Sequence, residues 1–176
     1  MTPTLAEARA LVAAAHAHGL PVLIHANRKE GQALAVAAGI DVIAHGLWRD
    51  HEEPALDEEA QAILASVARD RIGYQPTTQV IAAEPDMRDD AYFSRPELAD
   101  AYPRVLIDWY AARVHQNTHW TRALGPGADA RVRGILARAA EMTRYLAAPD
   151  GRLLFGSDTS SDRLYTNPPV STGAWK

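Results

Sequence analysis

The sequence predicts an α/β fold with a parallel β-sheet. Short apolar runs alternate with amphipathic helical segments, and the turns between them are short. Two of the apolar runs end in histidine, at His25 and His45, and a third is followed by Asp158. Alternation with short turns is typical of crossover connections, which produce parallel strands. The 176 residues, of which 47% are hydrophobic, suit a single domain with a substantial core.

The first half of the chain predicts three helix and strand units. Thr4 and Glu7 have the spacing of a capping box, and Gly19 is suited to the end of the first helix. Further helices are expected where apolar residues recur at intervals of three and four, with Gly39 after the second. The expected helices span about 5–18, 29–38 and 56–69, and the expected strands span 22–26, 41–45 and 71–76.

The second half departs from this alternation. Ser94 to Glu97 has the form of a helix start, with a proline in the first turn. Helices are expected over 103–120 and from a cap at Asp129 to about Leu146, followed by a strand over 153–158. Residues 159–176 are rich in Ser, Pro and Gly and are expected to form a loop. We expect one domain, 1–176, with a helical insertion over 78–128.

Composition disfavours several classes of partner. The net charge is −4, whereas nucleic acid and anionic membrane surfaces favour a basic face, so neither is expected as a partner. The absence of cysteine excludes disulfides and thiolate metal sites. No apolar stretch approaches the roughly 20 residues of a membrane span, and the first residues do not resemble a signal peptide. The compartment stays unknown, with a cytoplasmic location favoured, and the expected partner is a small-molecule substrate.

Chemistry is expected at the carboxyl ends of the strands. Parallel strands finish at a common edge, which is where α/β sheets and barrels carry their sites. We therefore expect His25, His45 and Asp158 to converge, and two imidazoles with a carboxylate suit a divalent metal such as Zn²⁺. Structural roles stay open for each: a hydrogen-bonded core histidine, a strand-end histidine paired to a loop, and a turn or N-cap aspartate.

Several short motifs occur in a recognisable order. A strand ending in His25 precedes Glu30-Gly31 at a helix start, the turn 38–41 reads Ala-Gly-Ile-Asp, and the next strand ends in His45-Gly46. Much later, Gly-Ser-Asp-Thr at 156–159 precedes an Asn-Pro-Pro loop. This ordered set resembles strands five, six and eight of the metal-dependent amidohydrolase superfamily, in the branch that contains imidazolonepropionase-like and prolidase-like members.

The resemblance implies part of a TIM (β/α)8 barrel. Residues 74–77 resemble the end of strand seven, so the chain would supply about strands five to eight, with the helical insertion between strands seven and eight. A complete barrel has roughly 250 residues. The family's His-x-His pair at strand one and its lysine or glutamate at strand four have no counterpart in this sequence. We therefore expect a C-terminal barrel part that forms a homo-oligomer or pairs with a missing N-terminal half-barrel.

The resemblance also assigns roles to residues. His25, His45 and Asp158 would bind one or two divalent ions, with Zn²⁺ favoured. Asp158 would act as the general acid and base, and His45 would bind a second ion or contact the hydroxide or the substrate. Side chains just past the strand ends would contact substrate, with ordinary turn roles as the alternative: Asn27, Lys29, Tyr74, Gln75, Thr77 and Thr159.

The implied activity is hydrolysis of a C–N bond in an amide, a cyclic amide or a peptide-like substrate by metal-activated water. Lactone or ester hydrolysis within the same superfamily is an alternative, because the same groups attack any activated carbonyl. A further alternative is a catalytically inactive fragment, a split subunit or a pseudoenzyme module that needs a partner half-barrel. Activity of the isolated chain is expected to be low because ligands from the other strands are missing.

Overall fold

The structure, a computed structural model, is described for residues 2–47, 55–82, 89, 91–112, 127–148, 151–156 and 158. The chain divides into two compact units. The first unit comprises Met1–Thr77 and Gly134–Gly156, and the second comprises Thr78–Arg133 and Ser157–Lys176. Within the described ranges, no helix combines the length and the apolar character that crossing a membrane requires.

The first unit contains a four-stranded parallel sheet. Its strands follow the order β1-β2-β3-β4, and each neighbouring pair is parallel. The predicted α/β class with a parallel sheet is therefore confirmed. The strands are β1 (Leu23–His25), β2 (Val42–Ala44), β3 (Gly73–Gln75) and β4 (Arg152–Leu153).

Helices connect the strands of this sheet and include most of the described residues of the second unit. In the first unit they are α1 (Leu5–Ala17), α2 (Lys29–Ala38) and α3 (Glu58–Arg69). The second unit contains a 3₁₀ helix (Tyr92–Ser94), α4 (Pro96–Ala101) and α5 (Arg104–Ala111). The long helix α6 (Ala128–Ala147) begins in the second unit and continues into the first. A short helical segment also spans 79–82.

The ends of the first helices follow from local sequence signals. The Thr4 hydroxyl accepts a hydrogen bond from the Glu7 amide at 3.3 Å, and the Glu7 carboxylate accepts one from the Thr4 amide at 2.7 Å, which confirms the capping box. Gly19, with φ of 68°, follows the C-cap His18, and Gly39 is a left-handed C-cap with φ of 77°.

The last strand is shorter and lies earlier than predicted. It ends at Leu153 instead of Asp158, because β3, its neighbour, ends at Gln75 and offers no further ladder. The amide of Leu154 still donates to the carbonyl of Tyr74 at 2.8 Å, and the carbonyl of Phe155 instead accepts from the Gln75 side chain at 2.8 Å.

Two predicted helix bounds also differ. Helix α5 ends at Ala111 rather than at Trp120, and residues 113–120 lie outside the described residues. Asp129 lies inside the first turn of α6 instead of capping it, where its negative charge complements the positive end of the helix dipole.

Each unit has its own apolar core. In the first unit, fully buried side chains from the helices and from β2 and β3 form one cluster, which includes Ala35, Ile43, Leu64, Val67 and Met142. In the second unit, Tyr92, Leu98 and Ile107 are buried together, with Phe93 and Tyr102 packed against them. The first core supports the sheet whose carboxyl edge carries the candidate site.

Candidate functional site

Two histidines meet at the carboxyl ends of adjacent strands. His25 is the last residue of β1, and His45 follows the last residue of β2. Nδ1 of His25 lies 2.7 Å from Nε2 of His45, and the ring centroids are 4.8 Å apart. The His25 side chain is exposed, whereas His45 is buried. The structure therefore brings together two of the three expected metal ligands.

The end of β3 supplies a third partner. The other ring nitrogen of His45, Nδ1, lies 2.8 Å from the hydroxyl of Thr77, which is only 3% exposed. The amide of His45 also donates to the carbonyl of Gln75 at 2.8 Å. If His45 Nδ1 carries the proton, it donates to Thr77, and Nε2 presents a lone pair towards His25. The reverse tautomer directs an Nε2–H bond at His25.

The main chain at these positions is in an uncommon conformation. Among the described residues, four that are not glycine have positive φ, namely His45 (77°), Arg71 (55°), Thr77 (44°) and Asp158 (52°). Three of the four are candidate site residues that the sequence selects on other grounds. A non-glycine residue in the left-handed region costs about 1–3 kcal/mol, and such residues cluster at functional sites. Thr77 is β-branched, which makes its conformation the least expected.

A buried polar network lies beneath the histidine pair. Gln32 in α2 is fully buried, and its Nε2 lies 3.0 Å from the carbonyl of Ala26 and 3.3 Å from the carbonyl of His45. The same nitrogen lies 3.0 Å from the hydroxyl of Tyr74, which is also 3.7 Å from the sulfur of Met142. One amide therefore contacts main-chain groups at the ends of both β1 and β2.

Tyr74 belongs to this network. It is 1% exposed, and burial raises the pKa of its phenol far above the ordinary value, so the hydroxyl stays neutral. The sequence predicts a substrate contact at this position. The contacts that the structure gives its hydroxyl are internal, with Gln32 and Met142.

Lys29, a further predicted substrate contact, forms ion pairs at the start of α2. Its ammonium lies 2.5 Å from the Glu59 carboxylate and 3.2 Å from the Asp57 carboxylate, both at the start of α3. The bond to Glu59 is the main cause that raises the pKa of Lys29 above its usual range. These contacts link the first turns of two helices.

The remaining predicted substrate contacts have different positions. Gln75 is half-buried at the end of β3, where its side chain donates to the Phe155 carbonyl. Asn27 is half-buried just after β1, in the wall of a groove. Thr159 lies outside the described residues.

Asp158, the predicted third ligand, belongs to the second compact unit. Its side chain is exposed, and it lies five residues beyond the end of β4. Within the described part of the chain, no three His, Asp or Glu side chains are grouped so that they could hold a metal ion. What the first unit assembles is a pair of imidazole ligands, whereas zinc sites generally use three or four protein ligands.

An apolar groove of about 630 Å³ runs along β1 in the first unit. Leu11 (64% exposed) and Leu23 (50% exposed) contribute to its walls, and His25 and Arg28 lie at the end where β1 finishes. Val22 and Ala26 bond to β2, so strand alternation directs the main-chain groups of Leu23 and His25 to the other edge. β1 is therefore an edge strand within the described sheet.

Sequence reasoning missed the role of Gln32. The sequence signal for a buried Gln32 is its position one turn before Ala35. Ala35 and Ala38 are buried in the first core. A buried glutamine requires hydrogen-bond partners, so this position indicates an internal network. The partners themselves come from other strands, and the sequence does not identify them.

Comparison with known proteins adds no assignment. No protein-family model matches the chain, and no curated protein matches it significantly. The resemblance to the amidohydrolase superfamily therefore rests on the ordered motifs at the strand ends and stays a prediction.

Proposed function

We propose that this chain is a metal-dependent hydrolase of C–N bonds in amides, cyclic amides or peptide-like substrates. The observation that carries the proposal is the pair of imidazole nitrogens 2.7 Å apart, at the carboxyl ends of adjacent parallel strands. That edge is where barrels and open α/β sheets place their chemistry. The left-handed main chain at His45 and Thr77 supports the same location.

The proposed architecture is a segment of a (β/α)8 barrel, with β1 to β4 in the places of strands five to eight. Strand order supports this choice. Consecutive strands lie side by side in the order β1-β2-β3-β4, as they do around a barrel. A doubly wound sheet instead reverses its strand order at the point where the ligand binds, and the described sheet has no reversal.

The geometry of the pair is compatible with a bound divalent ion. Two imidazole nitrogens that bind one tetrahedral zinc ion, at Zn–N distances of about 2.0–2.1 Å, lie roughly 3.3 Å apart. The ring nitrogens of His25 and His45 face each other at 2.7 Å, so a small separation of the rings would suit an ion between them. His25 and His45 are thus the proposed ligands that this geometry supports, and Asp158 is proposed as a third ligand on the resemblance alone.

The residues of the chain then have distinct tasks. A bound divalent ion would lower the pKa of its water towards 7 and polarise the substrate carbonyl. In the tautomer in which His45 donates its Nδ1 proton to Thr77, Nε2 would be available as a ligand. Asp158 is proposed to take the proton of the attacking water and to deliver it to the leaving amine, because a carboxylate can serve as both base and acid.

Zinc binding tests the proposal directly. We expect calorimetric titration of the whole chain with Zn²⁺ at neutral pH to show binding that His25→Asn and His45→Asn each abolish. His18→Asn is the matched control, because His18 is an exposed histidine at the end of α1. Asparagine tolerates the left-handed main chain at position 45. Zinc affinity that is absent, or unchanged by both substitutions, would overturn the proposed metal site.

The reaction class requires a second measurement. With Zn²⁺ present, we expect slow hydrolysis of dipeptides, N-acyl amino acids or cyclic amides, and its loss in Asp158→Asn. Turnover of lactones alone would instead support the ester-hydrolase alternative. Hydrolysis that Asp158→Asn leaves intact would remove Asp158 from the proposed chemistry.

A second candidate function is that of a non-catalytic module that needs a partner half-barrel. The groove along β1, and the main-chain groups of Leu23 and His25 at the edge of β1 away from β2, favour this candidate. Parallel sheets are normally covered on all sides, so such an edge favours another strand beside it. The partner would be another copy of the chain or a polypeptide that supplies the remaining strands.

Sedimentation velocity distinguishes the second candidate. We expect association that increases with concentration and that Leu23→Lys prevents. Val105→Lys is the control, because Val105 is 78% exposed and belongs to the second unit. A wild-type chain that stays monomeric at all concentrations and turns over an amide with zinc would exclude this candidate.

A further inference from the structure

Gln32 is the only uncharged polar side chain of helix α2, and it is fully buried. Its neighbours on the helix are small or aliphatic, yet it lies against the first core. A buried amide needs partners for two donors and one acceptor, and burial without them would be costly. The identity of its partners therefore indicates what this residue does.

The partners of Gln32 are main-chain groups at the histidine pair. The carbonyl of Ala26, the residue directly after His25, lies 3.0 Å from Nε2 of Gln32. The carbonyl of His45 itself lies 3.3 Å from the same nitrogen. One side chain thus joins the two segments that carry the facing imidazoles, from the side of the sheet that is covered by α2.

The hydroxyl of Tyr74 completes the polar contacts of the Gln32 amide. The phenol hydroxyl lies 3.0 Å from Nε2 and 3.2 Å from Oε1 of Gln32. Tyr74 is in β3 and is 1% exposed, so its own position is set by the core. Tyr74 therefore donates to Oε1 of the amide, whereas the carbonyls of Ala26 and His45 accept from its Nε2.

Among the described hydrogen bonds, the ladder between these two segments ends at the carbonyl of Ala44, which accepts from the amide of Ala26 at 3.0 Å. His45 has φ of 77°, which takes its main chain out of the extended conformation. Its amide still bonds to β3 through the carbonyl of Gln75, but its carbonyl is directed to Gln32. Gln32 therefore connects the His45 carbonyl to the carbonyl of Ala26 at the end of β1.

We infer that Gln32 is a positioning residue for the histidine pair: by bonding to the carbonyls of Ala26 and His45, it sets the spacing and orientation of the His25 and His45 rings. The inference deepens the proposed function, since it concerns the same two ligands. Outer residues of this kind commonly change metal affinity by about 10- to 100-fold when they are replaced.

The test compares Gln32→Met with Tyr74→Phe in the whole chain. Methionine has a similar shape and no donor, so it removes both carbonyl bonds. Phenylalanine at position 74 removes a hydroxyl that contacts Gln32 and Met142 in the same buried network, and it leaves the carbonyls of Ala26 and His45 in place as partners of Gln32. Comparison of the two variants therefore distinguishes a loss of ring positioning from a loss of stability. Denaturant unfolding measures the loss of unfolding free energy in each variant.

The readout is the nitrogen NMR spectrum of the imidazoles without metal. We expect one His25 or His45 ring N–H in wild type to be slow to exchange, because it lies in the bond between the rings. Gln32→Met should lose this signal and change the tautomer balance of His45, whereas Tyr74→Phe should retain both. An unchanged signal in folded Gln32→Met would overturn the inference.

If Gln32→Met does not fold, hydrogen exchange in the wild-type chain provides a second test of the inference. If Gln32 holds the rings in place, the ring N–H cannot be more protected than the Gln32 side-chain amide. A ring proton that survives after the Gln32 amide has exchanged would contradict the inference. Neither readout uses metal, so both remain decisive if the chain proves to bind no zinc.

A metal readout then connects the inference to the proposed function. If wild type binds Zn²⁺, we expect Gln32→Met to weaken that binding about 10-fold or more, and Tyr74→Phe to change it by less. Equal zinc affinity in wild type and Gln32→Met would count against positioning, even where the hydrolase proposal itself stands.

Discussion

His45 lies beside His25 although the two residues are out of register. The residue that pairs with His25 across the parallel ladder is Ala44, and in a regular strand the next side chain would point to the opposite face. The left-handed main chain at His45 interrupts that alternation, so the two ring nitrogens face each other at 2.7 Å. The meeting of the two imidazoles is therefore a result of main-chain conformation as well as of strand order.

The hydroxyl of Thr77 is expected to stabilise the fold through His45. Thr77→Ala removes the 2.8 Å contact with Nδ1 and leaves a buried ring nitrogen without this partner, at a cost of about 1 kcal/mol in free energy of unfolding. Thr77→Ser keeps the oxygen and should stay close to wild type. Urea denaturation measures both, and equal loss in the two variants would show that the hydroxyl contact is unimportant.

The carboxylate of Asp41 should make stability depend on pH. It accepts hydrogen bonds from His16 at 2.8 Å and from the Val22 amide at 2.7 Å, and the His16 bond is the main cause that lowers the pKa of Asp41 below 3.8. A lowered folded pKa gives stability that is present above the unfolded pKa and is lost as the pH falls through the folded one.

Asp41→Asn should therefore reduce the decline in unfolding free energy between about pH 4 and pH 2, because the variant has no carboxyl to protonate there. Urea denaturation at several pH values gives the comparison. His16→Gln should reduce the decline less, since the Val22 amide still donates to the carboxylate. Identical pH profiles for wild type and Asp41→Asn would contradict the expectation.

Leu64 tests the core that supports the sheet. It is fully buried in α3, so Leu64→Ala should lower the free energy of unfolding by about 2–5 kcal/mol through lost burial and a cavity. Leu11→Ala is the matched control, because Leu11 is 64% exposed and should change stability by less than about 0.5 kcal/mol. Thermal or urea unfolding compares them, and similar losses would mean that the core is placed incorrectly.

Gly39 tests the end of α2. Its φ is 77°, and a methyl group added there would meet no heavy atom within 4 Å, so the cost of Gly39→Ala is conformational. We expect a loss of about 1–2 kcal/mol in unfolding free energy. Asparagine adopts this conformation more readily, and Gly39→Asn should lose less. A smaller loss for alanine than for asparagine would rule out this explanation.

Local sequence signals were sufficient to predict the parts of the fold that depend on residues close together along the chain. The capping box of Thr4 and Glu7 and the glycine at position 39 lie where such signals predict them. Strand order follows from the alternation of elements. The predicted end of β4 was wrong, because the length of a strand depends on its neighbouring strand and not on the apolar run itself.

The candidate site was predictable only in part. The positions of His25 and His45 at the ends of consecutive parallel strands predict that the two residues lie close together. The structure confirms this proximity. The contacts of His45 with Thr77 and with Gln32 depend on side-chain geometry between residues more than ten positions apart. Periodic patterns of apolar residues in a sequence do not indicate such contacts, so the sequence alone could not specify them.

Thr77 combines a hydroxyl that contacts His45 with a main-chain conformation that glycine would adopt more easily. Laboratory evolution for heat resistance alone should therefore favour glycine or asparagine at this position, since relief from a φ of 44° offsets the lost contact with His45. Selection that also requires the proposed hydrolysis should retain threonine or serine. The amino acid recovered at position 77 would thus report which of the two properties the selection rewarded.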